Sequence, residues 1–237
     1  MEPFLEALVE IHERLADGET PAAVAADPHL APVYAAEKEA ARRLLEFYEA
    51  AAQGSFGDTL EAVKRFARAD ADRFRLRDEL RAKAIAAIVP GHASTQIEAG
   101  EIHQAFWREL RRQLAGRIRL TRRFVLEPAY RAHAQRPHLF GPGDLLTLRY
   151  VFRPDRPARA WEDHLAAASL VYNKLLAKEE MAAAPGDYPH TRNEIETIRF
   201  VRRLSFDQCR RLLADIQHVG TRAAQRIVAG RIGPPEV

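Results

Sequence analysis

The sequence has almost no cysteine and no long apolar run, and these absences exclude several classes of protein. The single cysteine, Cys209, rules out an internal disulfide and a multi-cysteine zinc site, and its position predicts a small buried side chain. No apolar run approaches the length of about 18 residues that a transmembrane helix needs. The N-terminal residues also lack the basic start and apolar centre of a signal peptide. We therefore expect a cytoplasmic protein without a membrane partner.

Catalytic and metal-binding motifs are missing as well. The chain has no Gly-x-Ser-x-Gly motif, no Cys–His signature and no glycine-rich loop after a strand. The pairs Glu101/His103 and Glu162/His164 are spaced by two positions, whereas helical di-metal sites use Glu and His three positions apart. We predict no cofactor, no metal site and no catalytic residue. A helical-bundle enzyme with a small-molecule pocket stays open as an alternative.

Apolar residues make up 47% of the 237 residues and recur at helical spacing along most of the chain. The segments 191–194 and 205–208 have the spacing of capping boxes, which mark helix starts. These patterns predict an all-α bundle of about eight to eleven helices without a significant sheet. We expect one domain over residues 1–237, with a candidate internal boundary at the proline- and glycine-containing residues 137–143.

The secondary structure of three segments is ambiguous from the sequence pattern. Residues 144–152 alternate like a strand, but no second strand is available to pair with them, so we predict a short buried helix capped by Asp144. The apolar stripe drifts along residues 58–89, which predicts a kink or break at residues 70–76. The C-terminal stretch after residue 211 is similar to a helix-turn-helix, but Gly220 is misplaced for the tight turn. We interpret that stretch as one helix.

Charge is distributed unevenly along the chain, although the net charge is only +3. Residues 1–50 carry eleven acidic and four basic side chains, whereas residues 105–160 carry thirteen basic and four acidic ones. This asymmetry predicts an anionic partner for the basic part, either a nucleic acid or an acidic protein surface. The alternative is that the acidic N-terminal helices neutralise the basic part internally. A GC-rich genome would also explain why 31 arginines accompany only five lysines.

The most pointed feature is the segment from Phe106 to Arg123, in which seven of eighteen residues are arginine. We predict one helix that starts at Ser94 or Thr95 and continues to about Leu126. Six of its arginines then share a stripe about 120° wide. This arginine ridge consists of Arg108, Arg111, Arg112, Arg119, Arg122 and Arg123. Arg117 points to the apolar face in this arrangement, where we expect it to form a buried ion pair.

Arginine binds phosphate through charge and fork geometry alone, so the ridge needs no stricter motif to contact a nucleic-acid backbone. Arg149 and Arg153 extend it. Our leading prediction is a non-enzymatic protein that binds RNA or DNA through these eight arginines. A role as one subunit of a larger complex stays open.

One further segment suggests a different function. The sequence EDHLAAASLVYNKLLAKEE, which begins at Glu162, resembles the Glu-x-Asp-His helix of the TorD-like molybdoenzyme maturation chaperones, and LFGPG at residues 139–143 is similar to a loop upstream in that family. The resemblance covers about 25 of the 237 residues, and the His-Leu-x-x-Trp element of the family is absent. It implies an all-helical chaperone or adaptor that binds a protein segment, with Glu162, Asp163 and His164 lining a groove.

Overall fold

A computed structural model describes residues 2–156, 158–184 and 187–232. It is 72% helical, and its described residues form eleven α-helices and no strand. The predicted all-α class and the predicted number of helices are therefore confirmed. The helices are α1 Pro3–Ala16, α2 Pro21–Ala26, α3 Ala31–Gln53, α4 Phe56–Ile88, α5 Gln104–Leu114, α6 Glu127–Ala134, α7 Pro142–Phe152, α8 Arg159–Leu175, α9 Pro189–Arg203, α10 Phe206–Ile216 and α11 Thr221–Ile232.

The chain divides into two compact units. The first unit contains the residues up to 47 together with 65–121 and 147–156, and the second contains 48–64, 122–146 and the residues from 157 onward. Three helices, α3, α4 and α7, contribute residues to both units. The expectation of a single domain stays a prediction.

The first unit has two apolar clusters. Phe4, Ile11 and Val33 belong to the cluster formed by α1, α2 and the start of α3. The later part of α4 and one side of α5 form the other cluster, in which Ile85 packs with Phe106 and Leu110. Because α5 buries only this side, its opposite side is left to solvent.

The second unit is organised around α8, which packs against α9, α10 and α11. Every residue of α8 from Leu165 to Tyr172 is buried. Cys209 of α10 is fully buried, as predicted, and this burial raises the pKa of its thiol to about 11. The capping box before α10 is also confirmed, since Gln208 N donates to Ser205 Oγ at 3.2 Å and Ser205 N donates to Gln208 Oε1 at 2.7 Å.

Residues 144–152 are helical as predicted, within α7. The predicted cap is wrong, because α7 begins at Pro142, two residues before Asp144. Asp144 lies in the first turn, and its Oδ2 accepts a hydrogen bond from Gly141 N at 3.2 Å. Of the predicted kink or break at residues 70–76, the break is wrong, because α4 runs without interruption over 33 residues, and the kink stays a prediction. Its residues up to 64 belong to the second unit and the later ones to the first. The buried face therefore changes along a continuous helix, which explains the drifting stripe.

Two predictions near the C-terminus are wrong. The stretch interpreted as one helix is divided at residues 217–220 into α10 and α11, and both helices pack against α8. The second error concerns the capping box at 191–194, because α9 already begins at Pro189 without a side-chain cap. The Glu194 carboxylate instead accepts hydrogen bonds from the hydroxyls of Tyr130 at 2.9 Å and Tyr172 at 3.3 Å. Glu194 therefore makes tertiary contacts and does not cap the start of α9.

Candidate functional site

The predicted ridge helix is wrong at both ends. Helix α5 begins at Gln104, about ten residues after the expected start, and ends at Leu114. The C-terminal end has a clear physical cause, since Gly116 adopts φ +73°, a left-handed conformation that favours glycine and terminates helices. Residues 115–126 are not helical. The six ridge arginines therefore do not share one helical stripe.

The structure nevertheless leaves all six ridge arginines exposed. Three of them, Arg108, Arg111 and Arg112, lie on α5, whereas the other three follow in the non-helical segment. Of the two predicted extensions, Arg149 is half-buried in α7 and Arg153 is exposed directly after that helix. Arg122 and Arg123 belong to the second unit, and the remaining predicted arginines belong to the first.

The prediction of a buried Arg117 is also wrong. Its side chain is exposed and donates a hydrogen bond to the carbonyl of Gln113. Beyond Gly116 the backbone is no longer helical, and residues 117–120 alternate between exposed and half-buried. Ile118 and Leu120 pack against the α4–α5 cluster. Arg117 and Arg119 alternate with them along the chain and therefore point to solvent.

Two of the predicted arginines, Arg108 and Arg149, lie at the C-terminal end of α7 in the first unit, and Arg153 follows that helix directly in the chain. The Arg108 guanidinium lies over the ring of Phe152, with Cζ 4.7 Å from the ring centroid. Arg149 Nη1 donates to the carbonyl of Arg153 at 3.2 Å. A helix C-terminus carries partial negative charge, which favours cations at this position. We call Arg108, Arg149 and Arg153, with the two α4 arginines described next, the α7-end cluster.

Sequence reasoning missed the two α4 members of this cluster. Arg68 Cζ lies 4.5 Å from the ring centroid of Tyr150, and Arg75 Nη1 donates to the Tyr150 carbonyl at 2.9 Å. Arg75 also forms an ion pair with Asp72. About 75 residues separate Arg75 from Tyr150, so no local pattern connects them. The alternating charges around Arg75 indicate only a solvated helix surface.

The exposed arginines of the first unit differ in how far a carboxylate neutralises them. Arg112 forms a hydrogen-bonded ion pair with Glu109 at 2.5 Å, and this hydrogen bond lowers the pKa of Glu109 to about 2. Over the part of the chain that the structure describes, no ion pair involves Arg108, Arg111, Arg119 or Arg153. A negatively charged partner would meet the guanidinium groups of Arg111, Arg119 and Arg153 without displacing a carboxylate, whereas the charge of Arg108 already acts on Glu109 and contributes to the lowered pKa of that carboxyl group.

The acidic N-terminal helices do not supply the missing carboxylates within the first unit. Glu2 pairs with Arg81 at 3.0 Å, and Glu37 pairs with Arg73 at 3.2 Å. The other N-terminal carboxylates that form ion pairs bind Arg14, Arg42, Arg43 and Arg65. Among the described residues of the first unit, none of these carboxylates pairs with an arginine of α5 or of the segment that follows it.

The segment that resembles the TorD-like chaperones has structural contacts. Glu162 is buried, and its Oε1 accepts a hydrogen bond from Ala158 N at 3.3 Å, at the start of its own helix. Asp163 Oδ1 lies 2.5 Å from Lys64 Nζ, and Lys64 is buried. His164 is half-buried. The first two side chains are therefore occupied by contacts within the second unit.

A groove lies elsewhere on the second unit, between α8, α9 and α11, with about 690 Å³ of space that includes open solvent. Its apolar lining includes Leu175, Phe200 and Val228. Asn193, Glu196 and Gln225 add polar groups, and Gln225 Nε2 donates to the Leu175 carbonyl at 2.8 Å. Glu196 is exposed and forms no ion pair with any residue that the structure describes. The groove thus combines an apolar surface with an unneutralised carboxylate.

The described residues show neither a metal-binding cluster nor a helix that could cross a membrane. No group of three or more His, Cys, Asp or Glu side chains in these residues is arranged to hold a metal ion. None of their helices combines the length and apolar character needed to cross a membrane.

Comparison with known proteins gives one relative. An uncharacterized protein of Archaeoglobus fulgidus is 32% identical to this chain over 177 residues, which are 74% of this chain and 59% of that protein. The chain thus spans about three fifths of the length of this curated relative. No family model matches the chain, and no solved structure matches it. A relative without a described activity carries no argument about function.

Proposed function

We propose that this chain is a non-enzymatic helical protein that binds the backbone of RNA or DNA through exposed arginines of its first unit. The observation that carries the proposal is the position of Arg108 over the ring of Phe152 at the end of α7, next to which the exposed Arg153 follows in the chain, where neither arginine forms an ion pair with a carboxylate among the described residues. Both side chains are exposed, and Arg111 and Arg119 add cationic groups from α5 and the segment after it.

The physical argument is electrostatic. A guanidinium group is always charged and presents five N–H donors, which match the oxygens of a phosphate. Several unpaired guanidinium groups on one unit repel one another, and this repulsion is relieved when an anion binds. Contacts of this kind are independent of base sequence and release counterions, so the affinity should fall steeply as the salt concentration rises.

The proposal is tested by fluorescence anisotropy with labelled single- and double-stranded RNA and DNA at a series of salt concentrations. Arg108→Gln and Arg153→Gln should each weaken binding for all base sequences and lower the log–log salt slope by about one unit. Arg112→Gln should have a smaller effect, because Glu109 already neutralises Arg112.

Arg42→Gln is the matched control. Arg42 is an exposed arginine of the same unit that pairs with Glu39 at 2.7 Å and Glu46 at 2.5 Å, so its replacement changes the net charge equally. It should leave the salt slope unchanged. The proposal fails if the wild-type protein binds no nucleic acid even at low salt, or if Arg42→Gln weakens binding as much as Arg108→Gln.

A second candidate function is binding of a protein segment in the groove of the second unit. The observation that favours it is the position of the exposed Glu196 beside the apolar side chains of Leu175 and Phe200. An occupant that complements this groove is a segment of a partner protein with apolar side chains and one basic residue, which would pair with the Glu196 carboxylate. The TorD-like resemblance agrees with a partner of this type, although Glu162 and Asp163 do not line the groove.

This candidate is tested with a fluorescent peptide that has apolar residues at helical spacing and one lysine. Glu196→Lys should abolish binding, whereas Glu180→Lys should not, because the 98% exposed Glu180 is outside the groove lining. Equal binding by both variants would remove this candidate.

A further inference from the structure

Helix α1 of the first unit has an apolar row that the unit itself leaves open. Leu5 is 40% exposed and Val9 is 55% exposed, although the other side of the same helix is buried in the core. His12 and Ala16 are also exposed and continue the row. These four residues are spaced by four, three and four positions and fall within about 60° on the helix surface. We call Leu5, Val9, His12 and Ala16 the α1 stripe.

One edge of the α1 stripe carries negative charge. Glu6 and Glu13 lie along this edge, are exposed, and form no ion pair with any residue that the structure describes. The arginine of this helix, Arg14, lies on the opposite side and is paired with Glu19 at 2.6 Å and Asp27 at 2.7 Å. An occupant of the stripe therefore meets two carboxylates that are available for an ion pair.

The other edge of the α1 stripe is neutralised within the first unit. A recess of about 300 Å³, which includes open solvent, borders the stripe at Leu5. Its lining includes Arg73 and Arg77, which pair with Glu37 at 3.2 Å and with Glu2 at 3.3 Å. The charge that an occupant must complement is therefore the negative charge of the first edge.

The spacing of the α1 stripe is that of the d and a positions of a coiled-coil heptad, which pack against a second helix. In this register Glu6 and Glu13 occupy e positions, which flank the contact and select the partner by charge. A second copy of α1 is a poor match. In an antiparallel pair Glu6 would face Glu13 of the other copy, and like charges repel. In a parallel pair Glu13 would face Leu8 and gain no ion pair.

We infer that the α1 stripe docks an amphipathic helix of a partner protein, which has apolar residues at its a and d positions and lysine or arginine opposite Glu6 and Glu13. Such a helix buries the side chains of Leu5 and Val9 and pairs both carboxylates, so one occupant satisfies both features. His12 places a polar side chain within the row, and a polar residue there fixes the register of the two helices. The stripe shares no residue with the proposed nucleic-acid interface or with the groove of the second unit.

The probe is a fluorescent helical peptide of about three heptads, with leucine at a and d and lysine at e and g. A comparison peptide has glutamine at e and g. In fluorescence anisotropy with the full chain, the lysine peptide should bind more tightly. Val9→Ser should raise its Kd about 10-fold, because an apolar side chain is no longer buried. Leu45→Ser is the matched control and should leave the Kd unchanged, since Leu45 is a 63% exposed residue of α3 in the same unit.

Charge reversal tests the role of the two carboxylates. Glu6→Lys/Glu13→Lys should reverse the order of the two peptides, because the lysine peptide is then repelled. Glu49→Lys/Glu98→Lys changes the net charge equally at exposed positions outside α1 and should preserve the order. The inference is overturned if both peptides bind the wild-type chain equally, or if Leu45→Ser weakens binding as much as Val9→Ser. A wild-type dimer in analytical ultracentrifugation that Val9→Ser dissociates also overturns it, because the occupant is then a second copy.

Discussion

Asp163 Oδ1 lies 2.5 Å from the Nζ of Lys64, whose side chain is only 5% exposed. Burial by itself would lower the pKa of Lys64, but hydrogen bonds to Asp163 and Glu61 outweigh it and raise that pKa. Asp163 therefore stabilises a buried ammonium group of the second unit. This contact gives Asp163 a structural role, whereas the local resemblance to the TorD-like family would place it in a peptide-binding groove.

Removing this carboxylate should destabilise the protein. We expect Asp163→Ala to lower the free energy of unfolding by about 3 kcal/mol, because the ammonium loses its better-buried partner. Urea denaturation measures the change. The double variant Lys64→Met/Asp163→Leu should regain part of the loss, since it leaves no buried charge. A single variant as stable as the wild type would contradict a structural role for Asp163.

The conformation of Gly116 predicts whether an alanine at this position raises or lowers the free energy of unfolding. At φ +73°, alanine is strained, so Gly116→Ala should lower the free energy of unfolding by about 1 kcal/mol. A Cβ here would meet no other atom within 4 Å, so the effect comes from the backbone alone. In a continuous ridge helix the same change would stabilise the protein by about 1 kcal/mol instead. Gly91→Ala, which has neither a positive φ nor a nearby atom, is the control for thermal denaturation.

Replacement of Arg117 should hardly change the stability of the protein. Its side chain is exposed and its described hydrogen bond is to a main-chain carbonyl one turn earlier. Arg117→Gln should therefore change the free energy of unfolding by no more than about 0.5 kcal/mol. Chemical denaturation would reveal a loss of several kcal/mol if the guanidinium were part of a buried ion pair, and that result would favour the helical arrangement predicted from the sequence.

Glu194 connects two helices of the second unit to α9 through the hydroxyls of Tyr130 and Tyr172. Both tyrosines are buried, with 1% and 9% of their surfaces exposed. Hydrogen bonds to a charged acceptor are worth about 1.5–3 kcal/mol, so Glu194→Ala should cost about that much. Glu194→Gln keeps an acceptor and should cost less, as measured by differential scanning calorimetry. If Glu194→Ala melts at the wild-type temperature, the bridge makes no net contribution.

The buried thiol of Cys209 predicts a loss of stability in alkaline solution. Its folded pKa of about 11 exceeds the unfolded value near 9, so between these pH values the unfolded state loses the proton while the folded state keeps it. The stability contributed by this group is complete below pH 9 and is lost as the pH rises through 11. The loss amounts to ~3 kcal/mol. Cys209→Ala should flatten this part of the pH profile of the free energy of unfolding. An unchanged slope would show that the Cys209 thiol does not cause the alkaline loss of stability.

Local sequence patterns were sufficient for most of the secondary structure. Helical spacing predicted the all-α class and the capping box of Ser205 and Gln208, because these depend on residues within one or two helical turns. The burial of Cys209 follows from the same periodicity. The choice of helix over strand at residues 144–152 rested on the absence of a partner strand, which is also visible in the sequence.

Tertiary structure decided the arrangement of the charged groups. Helical periodicity continues past Leu114, but the left-handed backbone at Gly116 and the packing of Ile118 and Leu120 end the helix and redirect the arginines. Arg108 and Phe152 are brought together from distant parts of the chain, as are Lys64 and Asp163. Such contacts depend on which helices become neighbours. The sequence by itself therefore determined the all-α class, most of the helices and the overall excess of arginine, whereas packing determined where several helices end, which arginines form ion pairs and which side chains surround them.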